Sequence, residues 1–328
     1  MPQHPVLEQI DTASAVPHLE GVVERTPLVP FDAGDERVEL RLKLECLQHT
    51  GSFKARGAWN QVRQLTPAER EQGVVASSSG NHGRALSWAA QRAGVKATIY
   101  MPEDAYPNKI QACRDLDAEV VLTPTRIQAE EEAQAAAAAG AVMIHPYDSA
   151  RTIEGAGSVG YEIAQDWPEV EVCVFPVGGG GILSGSSLAL RETLGEEVRI
   201  FGAEPAGAPS MTLGVQAGEP VFLDEITTNV QGLCPINSGK INVRVTSNAV
   251  DRIFVVEDEE VYAAQLELLR HGQRAEPAGS ATTAMIRTGL IPDELLEGRS
   301  AENPLRVAAV VSGGNADPAQ FAELEARL

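Results

Sequence analysis

The chain has 328 residues, 43% of them hydrophobic and 22% charged, with a formal net charge of −20 at pH 7. That length buries about three-quarters of the unfolded surface, enough for one large or two moderate domains. The acidic balance argues against nucleic acid and anionic membranes as partners, because phosphate would be repelled.

In chain order, Val6, Ile10 and Ala13 stand at helical spacing and predict an amphipathic first helix. Arg25 to Val29 and Val38 to Leu44 read as short strands, the second alternating as a strand with one exposed face. A helix is expected from about Ser52 to Gln64, then a capped start at Thr66-Pro67-Ala68-Glu69. From there strands and helices alternate. Strands are predicted at Gly73–Ser77, Ala97–Met101, Glu119–Leu122 and Ala141–Ile144, with helices at Gly83–Ala93, Pro107–Leu116 and Arg126–Ala139 between them. This rhythm predicts a parallel sheet covered on both faces. It breaks near residue 148 and resumes with strands at Val172–Val177 and Val198–Ala203 around a helix at Ile182–Leu194. Pro205 to Thr246 reads as irregular and rich in glycine and proline; Phe254–Val256 and Val307–Val311 are the last strands. The expected fold is α/β with two doubly wound parallel-sheet domains. A small domain spans 66–147; a larger, discontinuous one combines 1–65 with 148–328.

Cys46, Cys113, Cys173 and Cys234 form no Cys-x-x-Cys pair and no zinc spacing, so they read as free thiols of a reducing compartment. Met1 to Glu20 lacks the apolar core of a signal peptide, and no run approaches membrane-spanning length. A cytoplasmic protein is expected.

Three glycine-rich segments follow predicted strands: Ser77-Ser78-Ser79-Gly80-Asn81-His82-Gly83, Gly178-Gly179-Gly180-Gly181 and Ser312-Gly313-Gly314-Asn315. Where such a segment opens a helix, its N–H groups point at whatever lies above the strand end. The tetraglycine fits an anion cradle or a tight strand–helix turn. The serine-rich segment fits helix capping or a carboxylate site. Lys54 lies between Phe53 and Ala55, and an apolar flank lowers a lysine's pKa and makes it an imine former. A phosphate, a ring, a carboxylate and an imine together describe pyridoxal phosphate joined to an amino acid. A rival reading takes Gly179-x-Gly181-x-x-Ser184 as a dinucleotide fingerprint with Glu204 as the ribose acid about 20 residues on. It leaves Lys54 and Ser312 without a role.

The ordered set Ser-Phe-Lys-x-Arg-Gly-Ala, Ser-Ser-Gly-Asn-His-Gly, Pro-Val-Gly-Gly-Gly-Gly, Glu-Pro-Ala-Gly and Ser-Gly-Gly-Asn, from Arg25 to Asp317, resembles the fold-type II pyridoxal-phosphate enzymes with the tryptophan synthase β-subunit-like fold. Within them it is most similar to the threonine/serine dehydratase and serine racemase branch. The resemblance implies that Lys54 carries the cofactor and moves protons, with Phe53 packed near the ring. It implies that Asn81 meets the ring 3-oxygen, that Gly178, Gly179, Gly180 and Gly181 hold the phosphate, and that Ser312 meets the pyridine nitrogen. Ser78, Ser79, Asn81 and His82 would surround the substrate carboxylate, Tyr147 would lie near the substrate side chain, and Glu276 would border the cofactor. Ser79 matches the opposite-face acid/base of the racemases. Thr228 and Asn229 stand where the branch has Ala-Asp-Gly, in a loop that borders the site. Glu204 matches one carboxylate of the branch's divalent-metal site. The second acid is missing, with Ser210 near its place, so a metal and a turn-capping role both stay open.

The expected activity is β-elimination from a β-hydroxy amino acid such as L-threonine or L-serine, giving a 2-oxo acid and ammonia. A neutral Ser312 hydroxyl, unlike a carboxylate, does not stabilise a protonated ring, so prompt loss of a β-leaving group is favoured. An amino-acid racemase is the alternative, followed by a non-catalytic amino-acid-binding protein. The family also implies a homodimer.

Overall fold

A computed structural model describes residues 10–328. The four strands predicted between 73 and 144 form one sheet. They are β3 (Val74–Ser77), β4 (Ala97–Pro102), β5 (Glu119–Thr123) and β6 (Val142–Met143), in the order β5-β4-β3-β6 and all parallel. The remaining strands are β1 (Leu28–Phe31), β2 (Val38–Leu44), β7 (Val172–Pro176), β8 (Arg199–Pro205), β9 (Arg252–Val256) and β10 (Leu305–Val311). They build a six-stranded sheet in the order β1-β2-β10-β7-β8-β9. Its edge strand β1 runs antiparallel to β2, so this sheet is mixed where a parallel one was expected. β7 is buried along its whole length, as a central strand covered on both faces must be. Separate apolar clusters pack on the two faces of the larger sheet, and a third fills the smaller unit.

Local signals place most boundaries. Thr66 forms a capping box with Glu69, and Gly94 ends the helix Asn81–Ala93 in the left-handed region. The first described helix is Thr12–Leu19, starting after Ile10; Val6 of the expected helix lies outside the described residues. The segment 205–246 is less irregular than expected. It contains the helix Ser210–Ala217 and most of Lys240–Ala249. The latter carries β-branched residues that disfavour helix in isolation, and it forms because Asn242, Val243, Val245, Thr246 and Ala249 are buried.

The long helix Ala150–Asp166 fills the stretch where the strand–helix rhythm breaks, and it carries Gly155, Gly157 and Gly160, which disfavour helix. Here they are contact surfaces. A Cβ on Gly155 would lie 2.6 Å from the Arg56 carbonyl, one on Gly157 2.8 Å from that of Gly185, and one on Gly160 2.6 Å from that of Ser186. Backbone therefore meets backbone on both sides, against the helices Lys54–Val62 and Gly181–Leu194.

Candidate active site

The ends of β3, β7 and β10 meet between the two sheets, and the lysine turn is tied to the last of them. Phe53 N–H donates to the Ser312 carbonyl at 3.0 Å, Gly314 N–H to that of Gly51 at 2.9 Å, and Ser52 pairs with Gly313. Lys54 follows as the first residue of its helix, with Nζ 5.0 Å from the Phe53 ring centroid. Its amine donates to the Pro146 carbonyl at 2.7 Å. Burial with no carboxylate partner pulls it down to about 8.

Below the same helix lies the opposite environment. Arg56 donates to Glu45 at 2.7 and 2.8 Å and to Glu162 at 2.6 and 2.9 Å, and both Arg56 and Glu45 are fully buried. Lys43, also fully buried, lies 2.6 Å from Glu162 and donates to the Thr26 carbonyl at 2.6 Å. Arg56 belongs to a motif, but neither acid does, and Glu162 lies 106 residues from it.

Asn81 opens its helix with both ends of its amide occupied. Nδ2 donates to Glu276 at 2.5 Å, and Oδ1 accepts from Asn315 Nδ2 at 2.8 Å. Asn315 also accepts from Arg84 at 2.7 Å and donates to the Thr50 carbonyl at 2.8 Å, and its own carbonyl accepts from Lys109. The Ser-Gly-Gly-Asn motif marked Asn315 without revealing this linking role; Arg84 and Lys109 gave no signal in the sequence. Glu276, buried, is pushed up by desolvation. Ser312 is 4% exposed at the end of β10, with Oγ 3.4 Å from the Ala278 carbonyl.

The serine-rich segment divides. Ser78 Oγ accepts from the N–H groups of Gly80 at 3.3 Å and Gly83 at 3.2 Å, which is the capping role. His82 turns into the core: Nε2–H donates to the Ile144 carbonyl at 2.8 Å, and burial pulls the ring down to about 3, so it is neutral. Ser79 is exposed and, with Asn81, Lys109, Gly232, Glu276 and Asn315, lines a cavity of about 400 Å³. Asn229 borders the same cavity, whereas the Thr228 hydroxyl turns away to Asp258 at 2.5 Å.

The tetraglycine links β7 to the helix Gly181–Leu194, with Gly180 at φ +94°. Tyr147 packs on it: a Cβ on Gly179 would run into the Tyr147 ring, and the phenol donates to the Asn237 carbonyl at 3.2 Å. Tyr147 therefore sits against the cradle, beside the Pro146 carbonyl that holds Lys54. Asn242 donates to the carbonyls of Gly179 at 2.8 Å and Tyr147 at 3.0 Å. Glu204, the ribose acid of the dinucleotide reading, instead accepts from Met211 N–H at 2.7 Å and Thr212 N–H at 2.9 Å. Burial pushes its carboxyl up to about 7 while these donors pull the other way.

A reactive lysine, an anion cradle at a helix start and a buried hydroxyl at a neighbouring strand end define a pyridoxal-phosphate enzyme of fold type II. A family model described as pyridoxal-phosphate dependent enzyme matches residues 19–313, and the chain belongs to that family. It is 37% identical to the L-threonine ammonia-lyase of Thermotoga maritima over 95% of this chain and 76% of that one. Maize serine racemase superposes with a TM-score of 0.87 at 28% identity, covering 98% of this chain and 97% of that one. The processed form of threonine deaminase isoform 2 from Solanum lycopersicum gives 0.88 at 27% identity, covering 98% and 88%. The residues fit the cofactor. The cradle has no room for a Cβ, Lys54 is desolvated, and among the described residues Ser52 Oγ beside the lysine and Asn242 Oδ1 beside the cradle are buried without a partner.

Proposed function

We infer that the chain is an ammonia-lyase that eliminates water from a β-hydroxy amino acid such as L-threonine or L-serine, releasing a 2-oxo acid and ammonia. The observation that carries this is Ser312, a hydroxyl buried at the end of β10 where the resemblance puts the pyridine nitrogen. Pyridoxal phosphate, when bound, supplies the electron-withdrawing ring that acidifies the substrate's α-proton. Lys54 Nζ is the group to hold the cofactor and to take that proton, since at about 8 its amine is partly neutral near physiological pH. Gly178, Gly179, Gly180 and Gly181 present backbone N–H groups to the phosphate at a helix start, where negative charge is favoured. Phe53 packs beside the amine, and Glu276 orients Asn81 toward the ring oxygen. Ser79 and the N–H groups of the turn Ser78–His82 meet the substrate carboxylate, with Tyr147 closing the cradle side. Ser312 would add no negative charge where the ring lies, which favours prompt loss of the β-hydroxyl as water once a proton reaches its oxygen.

The same reading divides the chain into a small domain, 66–147, and a large one, 1–65 plus 148–328. The confinement of β3 to β6 to the first span supports it. It also takes the protein as a cytoplasmic homodimer. Free thiols at Cys46, Cys113, Cys173 and Cys234 support the compartment. Phe222 and Ile236, both exposed and drawn together by the Leu223–Ile236 backbone bond of 2.8 Å, support a second copy. Incubation of the purified protein and cofactor with L-threonine and L-serine is expected to yield 2-oxobutyrate and pyruvate; no keto acid from either sinks the proposal. Racemisation is the second reading, favoured by the exposed Ser79, and the chirality of recovered substrate separates the two.

A further inference from the structure

The resemblance brings a divalent cation to Glu204, and the residues around it do not fit one. Among the described residues no group of three His, Cys, Asp or Glu side chains could hold a metal ion. Both Glu204 oxygens are committed to donors. Oε1 accepts from Met211 N–H at 2.7 Å; Oε2 accepts from Thr212 N–H at 2.9 Å and Thr212 Oγ1 at 2.6 Å. Ser210, near the place of the second acid, shares a hydrogen bond of 2.8 Å with the Ser238 hydroxyl.

The donors to Glu204 belong to the first turn of the helix Ser210–Ala217. Its cap position is Pro209, which has no side-chain acceptor, and no side chain at that position caps the helix. Glu204, fully buried at the end of β8, supplies the missing acceptor from earlier in the chain. A carboxylate is favoured at that electropositive end. The helix then bears on the tetraglycine at two points. Ser238, joined to Ser210, donates to the Gly178 carbonyl at 3.3 Å. Met211 lies against Gly180, where a Cβ would collide with its methyl group.

We propose that Glu204 is a positioning residue for the phosphate cradle, capping the helix Ser210–Ala217, and that this helix start serves here in place of a divalent cation. This rests on the pyridoxal-phosphate reading.

The test is cofactor affinity, from absorption titration of the apo chain, and thermal stability, each measured in EDTA and then in millimolar Mg²⁺, Mn²⁺ or Ca²⁺. The wild type is expected to change by less than about twofold, since both Glu204 oxygens are already taken by Met211 and Thr212. Glu204→Gln, which sets an NH₂ against N–H donors, is expected to weaken cofactor binding about tenfold, the loss of one helix cap. It should also shift the ³¹P resonance of the bound phosphate, and no cation should rescue it. Thr212→Val, which keeps the carboxylate and removes one donor, is a milder variant with an expected loss of about threefold. Affinity lost in EDTA and restored by a cation would overturn the proposal, as would wild-type affinity in both variants. Failure of the cofactor reading looks different: no borohydride-reducible adduct at Lys54 under any ionic condition.

Discussion

Lys43 is fully buried and Lys54 partly so, and the partners their amines meet differ in charge. Lys43 meets Glu162 at 2.6 Å within a cluster that includes Arg56 and Glu45. Lys54 meets a neutral carbonyl, that of Pro146. The same helix, Lys54–Val62, carries Arg56 in the ion-paired cluster and Lys54, whose amine meets only a carbonyl. Burial with a carboxylate makes a lysine a structural tie; burial without one lowers its pKa and makes it a nucleophile.

The strongest way to break this contrast is to exchange the two roles. Lys54→Ala should cost at least about 10³-fold in turnover and abolish the borohydride adduct, on the scale of losing a general base that also anchors the cofactor. An adduct that maps to Lys43 by peptide analysis would erase the distinction. Arg56→Ala leaves Glu45 fully buried without its guanidinium partner and should destabilise the fold by about 3–5 kcal/mol in denaturant unfolding. A loss below about 1 kcal/mol would mean the cluster is wetter than its burial indicates. At the cradle, Gly179→Ala drives a methyl into the Tyr147 ring and should weaken cofactor binding by about 1–3 kcal/mol, read by equilibrium titration. The smallest effect is in pH. With Lys54 at about 8, the rate of cofactor uptake by the apo chain should rise about tenfold from pH 7 to a plateau above pH 9. An ordinary lysine would still be climbing at pH 10. The unfolded chain keeps this proton up to about 10.5 and the folded one only to about 8, so apo stability should rise with pH across that window.

Much of the scaffold was legible because its signals are local. Val38–Leu44 alternates and is β2; Thr66 and Glu69 cap as their spacing requires; Gly94 stops a helix. Lys54, Asn81, the tetraglycine and Ser312 stand out as motifs; in the fold the Lys54 turn is hydrogen-bonded to Ser312, and Tyr147, next to the Pro146 carbonyl that holds Lys54, packs on the tetraglycine. What escaped depends on partners distant in sequence. The glycines in Ala150–Asp166 are poor helix formers, and nothing local reveals that another backbone lies against them. The strand-like residues of Lys240–Ala249 are overruled by burial against the helix Gly181–Leu194. Arg56 could be read as part of a motif, but not as the centre of a cluster whose acids come from Glu45 and Glu162. His82 belongs to a recognisable motif, yet its ring serves the core.

The glycine-faced helix Ala150–Asp166 touches the lysine's helix through Gly155 and the cradle's helix through Gly157 and Gly160, main chain on main chain. It therefore works as a gauge block between the amine and the phosphate seat. At these three points the spacing is set by peptide thickness. A single methyl inserted at Gly157 would lengthen that gauge and leave a vitamin of fixed span unable to reach both ends at once.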